Sequence, residues 1–353
     1  MIKDTDGIGP GKNVEGTEMR CRDAFNQALR DELNNDKNVL IIGEDISGGF
    51  DKKTKEPLDA WGGPFAATKG LVQDFGKDRI VDAPISEAGF VGAAIGAALT
   101  GLRPVVDLMY FDFTTVAFDQ LLSNAAKSRY MFGGQTKVPL TLFARSGGGT
   151  GHAAQHSSAF YSILAHIPGL KVVTPSDPYS VKGLLSAAIR DDDPVFVVND
   201  KKLINLTGFV PNETYQIPLG KGRYLSEGSD ITLVGMSYTS VVCMEAAKEL
   251  KKVNISAEVI DLLSLSPIDE DIIIESVQKT NRIVIVDEDN PRASIASEVA
   301  AIVSDKAFDY LDAPPSRVTA PHTPVPYSRA LENNYVPNPE RVIKLVNGLI
   351  SRA

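Results

Sequence analysis

Short apolar runs alternate with helix-like stretches along nearly the whole chain, and this alternation constrains the fold more than any bulk property. NVLIIGED (38–45), RPVVDLMY (103–110), VPLTLFARS (138–146), LKVVTP (170–175) and PVFVVND (194–200) are continuous apolar runs bounded by Gly, Pro or acid. Strands buried on both faces read this way, and strands separated by helices pair in parallel. A parallel sheet with helices on both faces is therefore expected. KKLINLTGFVPNETYQIPL, which follows, has no clear period and reads as a linker. A second alternating unit begins at DITLVGMS (230–237) and closes on PERVIKLVNGLISR (339–352).

The expected organisation is a flexible polar arm at 1–17, an α/β domain at 18–200, a linker at 201–218 and a second α/β domain at 219–353. Within the first domain, MRCRDAFNQALRDELNN (19–35) reads as an amphipathic helix. TKGLVQDFG (68–76), EAGFVGAAIGAALTG (87–101), SSAFYSILAHI (157–167) and YSVKGLLSAAIRD (179–191) also read as helices. FTTVAFDQLLSNAAKSRYMF (113–132) reads as one long helix.

The chain has 353 residues, 43% hydrophobic and 23% charged, with a net charge of −9. An acidic balance argues against nucleic acid, whose phosphates need a basic face. No apolar run reaches membrane-spanning length, and MIKDTDGIGPGKNVEGTEMR lacks the apolar core of a signal peptide. Cys21 and Cys243 lie far apart with no metal-like spacing. A cytoplasmic protein is expected.

One acid stands out. Glu87 lies where RIVDAP (79–84) turns into a helix with no charge from Ala88 to Leu102. A helix apolar on all sides is buried. An acid at its buried start either keeps its proton or hydrogen-bonds a ligand. The plainer alternative is an acid that favours the helix dipole.

Four histidines are available: His152, His156, His166 and His322. His152 and His156 are four apart, as in some zinc sites, but no third ligand stands nearby and the pattern alone is weak. His156 follows a strand at a loop-to-helix junction, where open parallel sheets bind ligands. There it could donate or accept a proton. His152 reads more simply as a loop residue. Phe111 and Phe113 follow the strand RPVVDLMY, and either could stack on a planar ligand or belong to the core. Thr5-Asp6-Gly7 followed by Asn34-Asn35 imitates a diphosphate-binding pattern, but MIKD cannot be the buried strand such a motif requires. GIGPGK lacks the spacing of a phosphate loop. The chain is not expected to hold a diphosphate by itself.

GED (43–45), PISEAGFVGAAIGAA (84–98), GLRPVVDLM (101–109), DQLLSNAAKSRYMFGGQ (119–135), AAQHS (153–157) and HIPGLKVVTPSDPYSVKGLLSAAIRDDDPV (166–195) together form a specific set. From about Glu18 onward the chain resembles the beta subunits of the decarboxylating component of 2-oxo acid dehydrogenase complexes, within the transketolase-like superfamily. DAWGGPFAATKGL (59–71), RYMFGG (129–134), VDEDNPRASIASEVAA (286–301) and VTAPHTPVPYSRALE (318–332) resemble its acetoin dehydrogenase branch.

The resemblance implies two three-layer α/β/α domains: a pyrimidine-binding domain with a parallel sheet and a transketolase-like C-terminal domain. It implies thiamine diphosphate as cofactor. Glu87 would bond the ring nitrogen of its aminopyrimidine through a carboxyl of raised pKa. Phe113 would lie against that ring, with Met109 beside it. His156 would meet substrate or the lipoyl group. A structural potassium ion near Ala188, Asp191 and Asp193 is also implied, where other members often carry Asn at 193. Magnesium and the diphosphate would be held by an alpha subunit in an alpha2beta2 heterotetramer, with beta–beta contact and docking on a lipoyl acyltransferase core. The implied reaction cleaves acetoin or a 2-oxo acid such as pyruvate and passes the acyl group to the lipoyl arm. Two other readings remain: a transketolase-like half enzyme for biosynthetic carboligation, and a non-catalytic scaffold subunit. The loop SGGGTGH (146–152) departs from the family, reads as more flexible, and would face the substrate. His152 and the arm have no counterpart there.

Overall fold

The computed structural model describes residues 14–47 and 62–351, together with Gly9. Thr5-Asp6-Gly7, most of the arm and the start of DAWGGPFAATKGL lie outside the described residues. The first part carries strands β1 (Gly16–Arg20), β2 (Val39–Gly43), β3 (Ile80–Asp82), β4 (Arg103–Tyr110), β5 (Thr141–Ser146), β6 (Lys171–Val173), β7 (Val195–Asp200) and β8 (Thr207–Pro211). Its helices are α1 (Cys21–Asn35), α2 (Leu71–Phe75), α3 (Glu87–Leu99), α4 (Ser128–Met131), α5 (Ser162–Ala165) and α6 (Pro178–Arg190). The second part carries β9 (Arg223–Ser226), β10 (Ile231–Gly235), β11 (Ala257–Asp261), β12 (Ser264–Ser266), β13 (Ile283–Asp287) and β14 (Ser316–Thr319). Its helices are α7 (Tyr238–Lys251), α8 (Glu270–Thr280), α9 (Ile295–Lys306), α10 (Arg329–Tyr335) and α11 (Pro339–Ile350).

Six strands of the first part pair in parallel in the order β6-β7-β5-β4-β2-β3. Every residue of β5 and β7 is buried, as their unbroken apolar runs require. Helix α1 packs against α6, burying Phe25, Ala28, Leu29 and Leu33. Glu32 on that face is 2% exposed and is met by Arg190 at 2.9 Å. Helix α6 starts on a capping box: Asp177 accepts the Ser180 N–H, and Pro178 opens the first turn.

The second part holds a five-stranded sheet in the order β14-β13-β10-β11-β9, parallel except for β9. Among the described residues one strand pairing joins the parts. β12, encoded in the second part, adds antiparallel to β6 of the first sheet. β8, within the stretch expected as linker, pairs antiparallel with β1, so the chain runs back along the first domain. Among the described residues no helix is long and apolar enough to cross a membrane.

Three local expectations are corrected. Helix α3 is not enclosed on all sides. Phe90, Val91, Ala94, Ile95 and Ala98 pack inward, while Ala88, Gly89, Ala93, Gly96 and Leu99 face outward. Small residues keep that outer face smooth. The stretch 113–132 is not one helix either. A 3-10 turn (Phe111–Thr115), a π-helical turn (Gln120–Ala125) and α4 follow one another. This broken path presses on α3, where a Cβ at Gly92 would lie 3.2 Å from Gln120 Oε1. SSAFYSILAHI is likewise helical only over α5. Its Ser158 is bonded to Asp112 through both N–H and hydroxyl.

Candidate active site

The carboxyl ends of β2, β3, β4, β5 and β7 share one edge of the sheet, where open parallel sheets bind ligands. Asp82, ending β3, accepts the N–H groups of Ile46 (2.8 Å) and Ser47 (3.0 Å) and so ties down the turn after β2. Five residues later Glu87 opens α3. Its residue is 8% exposed, and its carboxylate has no hydrogen-bond partner among the described residues. Glu44, at the end of β2, is equally buried, and one of its oxygens is unpartnered. Burial, then the charges of Glu87 and Asp45, raises the Glu44 pKa.

Beneath these acids, Asp107 is pushed up to about 6, mainly by burial, with Met109 N–H and Arg145 opposing. Arg145 is 1% exposed, lies 4.6 Å over the Phe25 ring, and is lowered by burial to about 10. Asp107 accepts the Met109 N–H at 2.8 Å. That bond steadies Met109 at φ +55, a left-handed conformation that costs a non-glycine residue about 1 kcal/mol. The pairing register of β4 with β5 shifts at the same place.

Past this kink, four rings gather around Tyr110. His156 lies 4.6 Å away, Phe65 5.1 Å, and Phe113 and His152 each 5.7 Å, between centroids. Phe113 and His156 are 5.4 Å apart. Phe111 is wholly buried against Phe160 and Phe196, so it is core. Buried Lys201 donates to the His156 carbonyl and lies 5.5 Å over Tyr110. Burial lowers its pKa to about 8. The His152 pKa is lowered by burial, then by Lys201 and His156.

The loop expected to be flexible is held. Gly148 N–H donates to Glu288 at 2.6 Å. Gly149, Thr150 and Gly151 N–H all donate to Glu332, which is 0% exposed. Gly147 has φ +90, and a Cβ there would lie 2.3 Å from Asp200 Oδ2. Lys202 bridges Glu288 (2.7 Å), Asp200 (3.2 Å) and the Gly148 carbonyl (2.8 Å). A cavity of about 360 Å³ at the seam of the two parts borders this region, lined by Ala154, Ser158, Glu288, Asp289, His322 and Tyr335.

The residues singled out from sequence thus separate into two places. Glu87, Met109, Phe113 and His156 share the carboxyl edge. Ala188, Asp191 and Asp193 lie near the start of β4, at the opposite edge. There Lys171 holds the Asp191 carboxylate (2.7 and 2.8 Å), Arg103 the Asp191 carbonyl (2.9 Å), and Arg129 the Asp193 carboxylate. Among the described residues no three His, Cys, Asp or Glu side chains cluster to hold a metal. Sequence reasoning missed Glu44, Tyr110, Lys201 and Glu332. The first two end strands that were recognised, so strand-end position could have marked them.

Comparison with known proteins gives consistent matches. Residues 17–207 match the transketolase pyrimidine-binding domain, and residues 220–342 the transketolase C-terminal domain. The beta subunit of acetoin:2,6-dichlorophenolindophenol oxidoreductase from Bacillus subtilis (strain 168) is 51% identical over 328 residues, covering 93% of this chain and 96% of the relative. The pyruvate dehydrogenase E1 component subunit beta of Rickettsia felis is 40% identical over 329 residues, covering 93% and 97%. A solved chain described as a split gene transketolase, inactive beta4 tetramer, superposes with TM-score 0.72 at 21% identity, covering 94% and 98%.

Proposed function

The chain belongs to the transketolase-like beta subunits of acetoin and 2-oxo acid dehydrogenases, and we propose that its carboxyl edge is the pyrimidine half of a thiamine diphosphate site completed by an alpha subunit. The observation that carries this reading is Glu87: an acid more than nine-tenths buried, without a hydrogen-bond partner among the described residues, at the start of a helix whose outer face is open. Leaving such a group unpaired is costly unless a ligand bonds it.

When bound, thiamine diphosphate supplies the electron sink for breaking the bond beside a carbonyl. The chain's own residues bind and steer. Glu87 holds a proton at the pyrimidine ring nitrogen. Glu44, with its raised pKa, keeps a proton in the same acid pair longer than an ordinary carboxyl. Phe113 and Met109 offer an apolar flank to the ring. His156, oriented by Lys201 through its carbonyl, offers hydrogen bonding to a substrate oxygen. The substrate is acetoin or a 2-oxo acid, with the acyl group passed to a lipoyl acyltransferase.

Exposed apolar side chains support a covering partner. Ile85, just before α3, is 85% exposed, and on the adjoining broken segment Tyr130 is 90%, Met131 59% and Phe132 57% exposed. An alpha subunit seated there would bring magnesium and the diphosphate, giving the alpha2beta2 assembly with beta–beta contact. A structural potassium ion would use main-chain oxygens near Ala188, Asp191 and Asp193, because the carboxylates there already meet Lys171 and Arg129. Co-expression with an alpha subunit tests the whole reading. The complex is expected to bind thiamine diphosphate with magnesium, and the isolated chain is not. Tight one-to-one binding by the isolated chain contradicts the reading.

A further inference from the structure

Two imidazoles, not one, flank Tyr110, and the reading above uses only His156. His152 comes from the glycine loop, and its Nδ1 lies 2.8 Å from Thr150 Oγ1. Its Nε2 has no hydrogen-bond partner among the described residues. The ring is half-buried beside the aromatic group. The loop cannot wander, since three consecutive N–H groups converge on the buried Glu332 carboxylate. Glu332 is about 180 residues away in sequence, on α10 of the second part, so the C-terminal domain sets where this imidazole stands.

We propose that His152 is a second substrate-facing imidazole that accepts a hydrogen bond from the hydroxyl of an uncharged hydroxy ketone, and that Glu332 positions it through the glycine loop. The inference rests on the thiamine-dependent reading and narrows its substrate class. In the tautomer that turns Nδ1–H to Thr150 Oγ1, the Nε2 lone pair is free to accept, and the proposal is for that tautomer. Burial, then Lys201 and His156, disfavour the cationic ring, with Glu332 and Thr150 opposing. A neutral imidazole serves a hydroxyl well and gives a carboxylate no opposite charge. The charged groups of the edge among the described residues do the same. Glu44, Glu87 and Asp107 are acids, Lys201 is committed to the His156 carbonyl, and Arg145 is buried under phenylalanine rings. Acetoin carries such a hydroxyl, and pyruvate carries a carboxylate in its place.

The test is calorimetric binding of acetoin and of pyruvate to the alpha–beta complex loaded with an unreactive thiazolone analogue of the cofactor, so that no turnover is read. His152→Ala is expected to weaken acetoin about tenfold, the loss of one hydrogen bond, and to change pyruvate less than about twofold. His152→Gln, which keeps an acceptor, should recover most of the loss. Glu332→Gln should weaken acetoin in the same direction without moving pyruvate. Equal loss for both ligands, or no loss for either, overturns the assignment. Failure of the underlying reading looks different: the wild-type complex then binds no thiazolone analogue at all, and the assignment falls with it.

Discussion

The two edges of the first sheet treat their acids in opposite ways. At the amino edge, Asp191, Asp192 and Asp193 are matched by Lys171, Arg103 and Arg129, each within hydrogen-bond reach. At the carboxyl edge, Glu44 and Glu87 are more deeply buried, yet among the described residues neither carboxylate meets a cation. A buried charge without a partner is unstable and survives where a ligand supplies the missing contact. Asp200 at the carboxyl end of β7 still meets Lys202, so the contrast lies with Glu44 and Glu87, the acids of the proposed cofactor site. Strain follows the same division, with Met109 in the left-handed region at the carboxyl edge.

The largest expected effect is at Glu87. As the hypothesis has it, Glu87→Gln in the assembled complex should lower turnover about a thousandfold, the order of a lost proton-transfer group, with the circular dichroism spectrum unchanged. Near-normal turnover would erase the contrast between the edges. Phe113→Ala should weaken cofactor binding about tenfold through a lost ring contact. Titration calorimetry with thiamine diphosphate reads this, and unchanged affinity counts against that flank.

Asp107 sharpens the comparison through pH. Its folded pKa is about 6, above the ordinary value of about 4, so the folded state holds a proton more tightly than the unfolded. Stability attributable to Asp107 is therefore full below about pH 4, falls between about 4 and 6, and stays low above. Asp107→Asn should flatten that part of the melting-temperature profile, and an unaltered slope would contradict the burial argument. The smallest effect is at the amino edge. Asp192, more than a third exposed, has its pKa lowered first by its hydrogen bond to Lys137. What it lends is present above about pH 4 and fades as pH falls through its lowered folded value. Screening keeps it under about 1 kcal/mol. Asp192→Asn should leave turnover unchanged and move the melting point barely at all. A large loss of activity there would break the division between the edges.

Much of this was legible in the sequence because buried parallel strands announce themselves. The observed strands at 39–43, 103–110, 141–146 and 195–200 fall within the apolar runs 38–45, 103–110, 138–146 and 194–200, and Glu87, Phe113 and His156 reach one edge. What escaped was contact between distant segments. β12 has three residues and gains its place only by adding to β6. Glu332 sits in RALENNY, an unremarkable polar turn of helix until three loop amides converge on it. The glycines of 147–151 read as freedom, whereas here they let the backbone approach Asp200 and Glu288 closely. The break in 113–132 arises from its fit against α3, and local periodicity carries no trace of it.

The central claim is that Glu87 bonds the pyrimidine of a cofactor whose charged tail another subunit holds. Its most direct test is the rate at which the assembled complex exchanges the cofactor's acidic ring proton for deuterium, compared with Glu87→Gln at equal cofactor occupancy. The account predicts fast exchange in the wild type and a fall of about a thousandfold in the variant. Equal rates in the two proteins would contradict it.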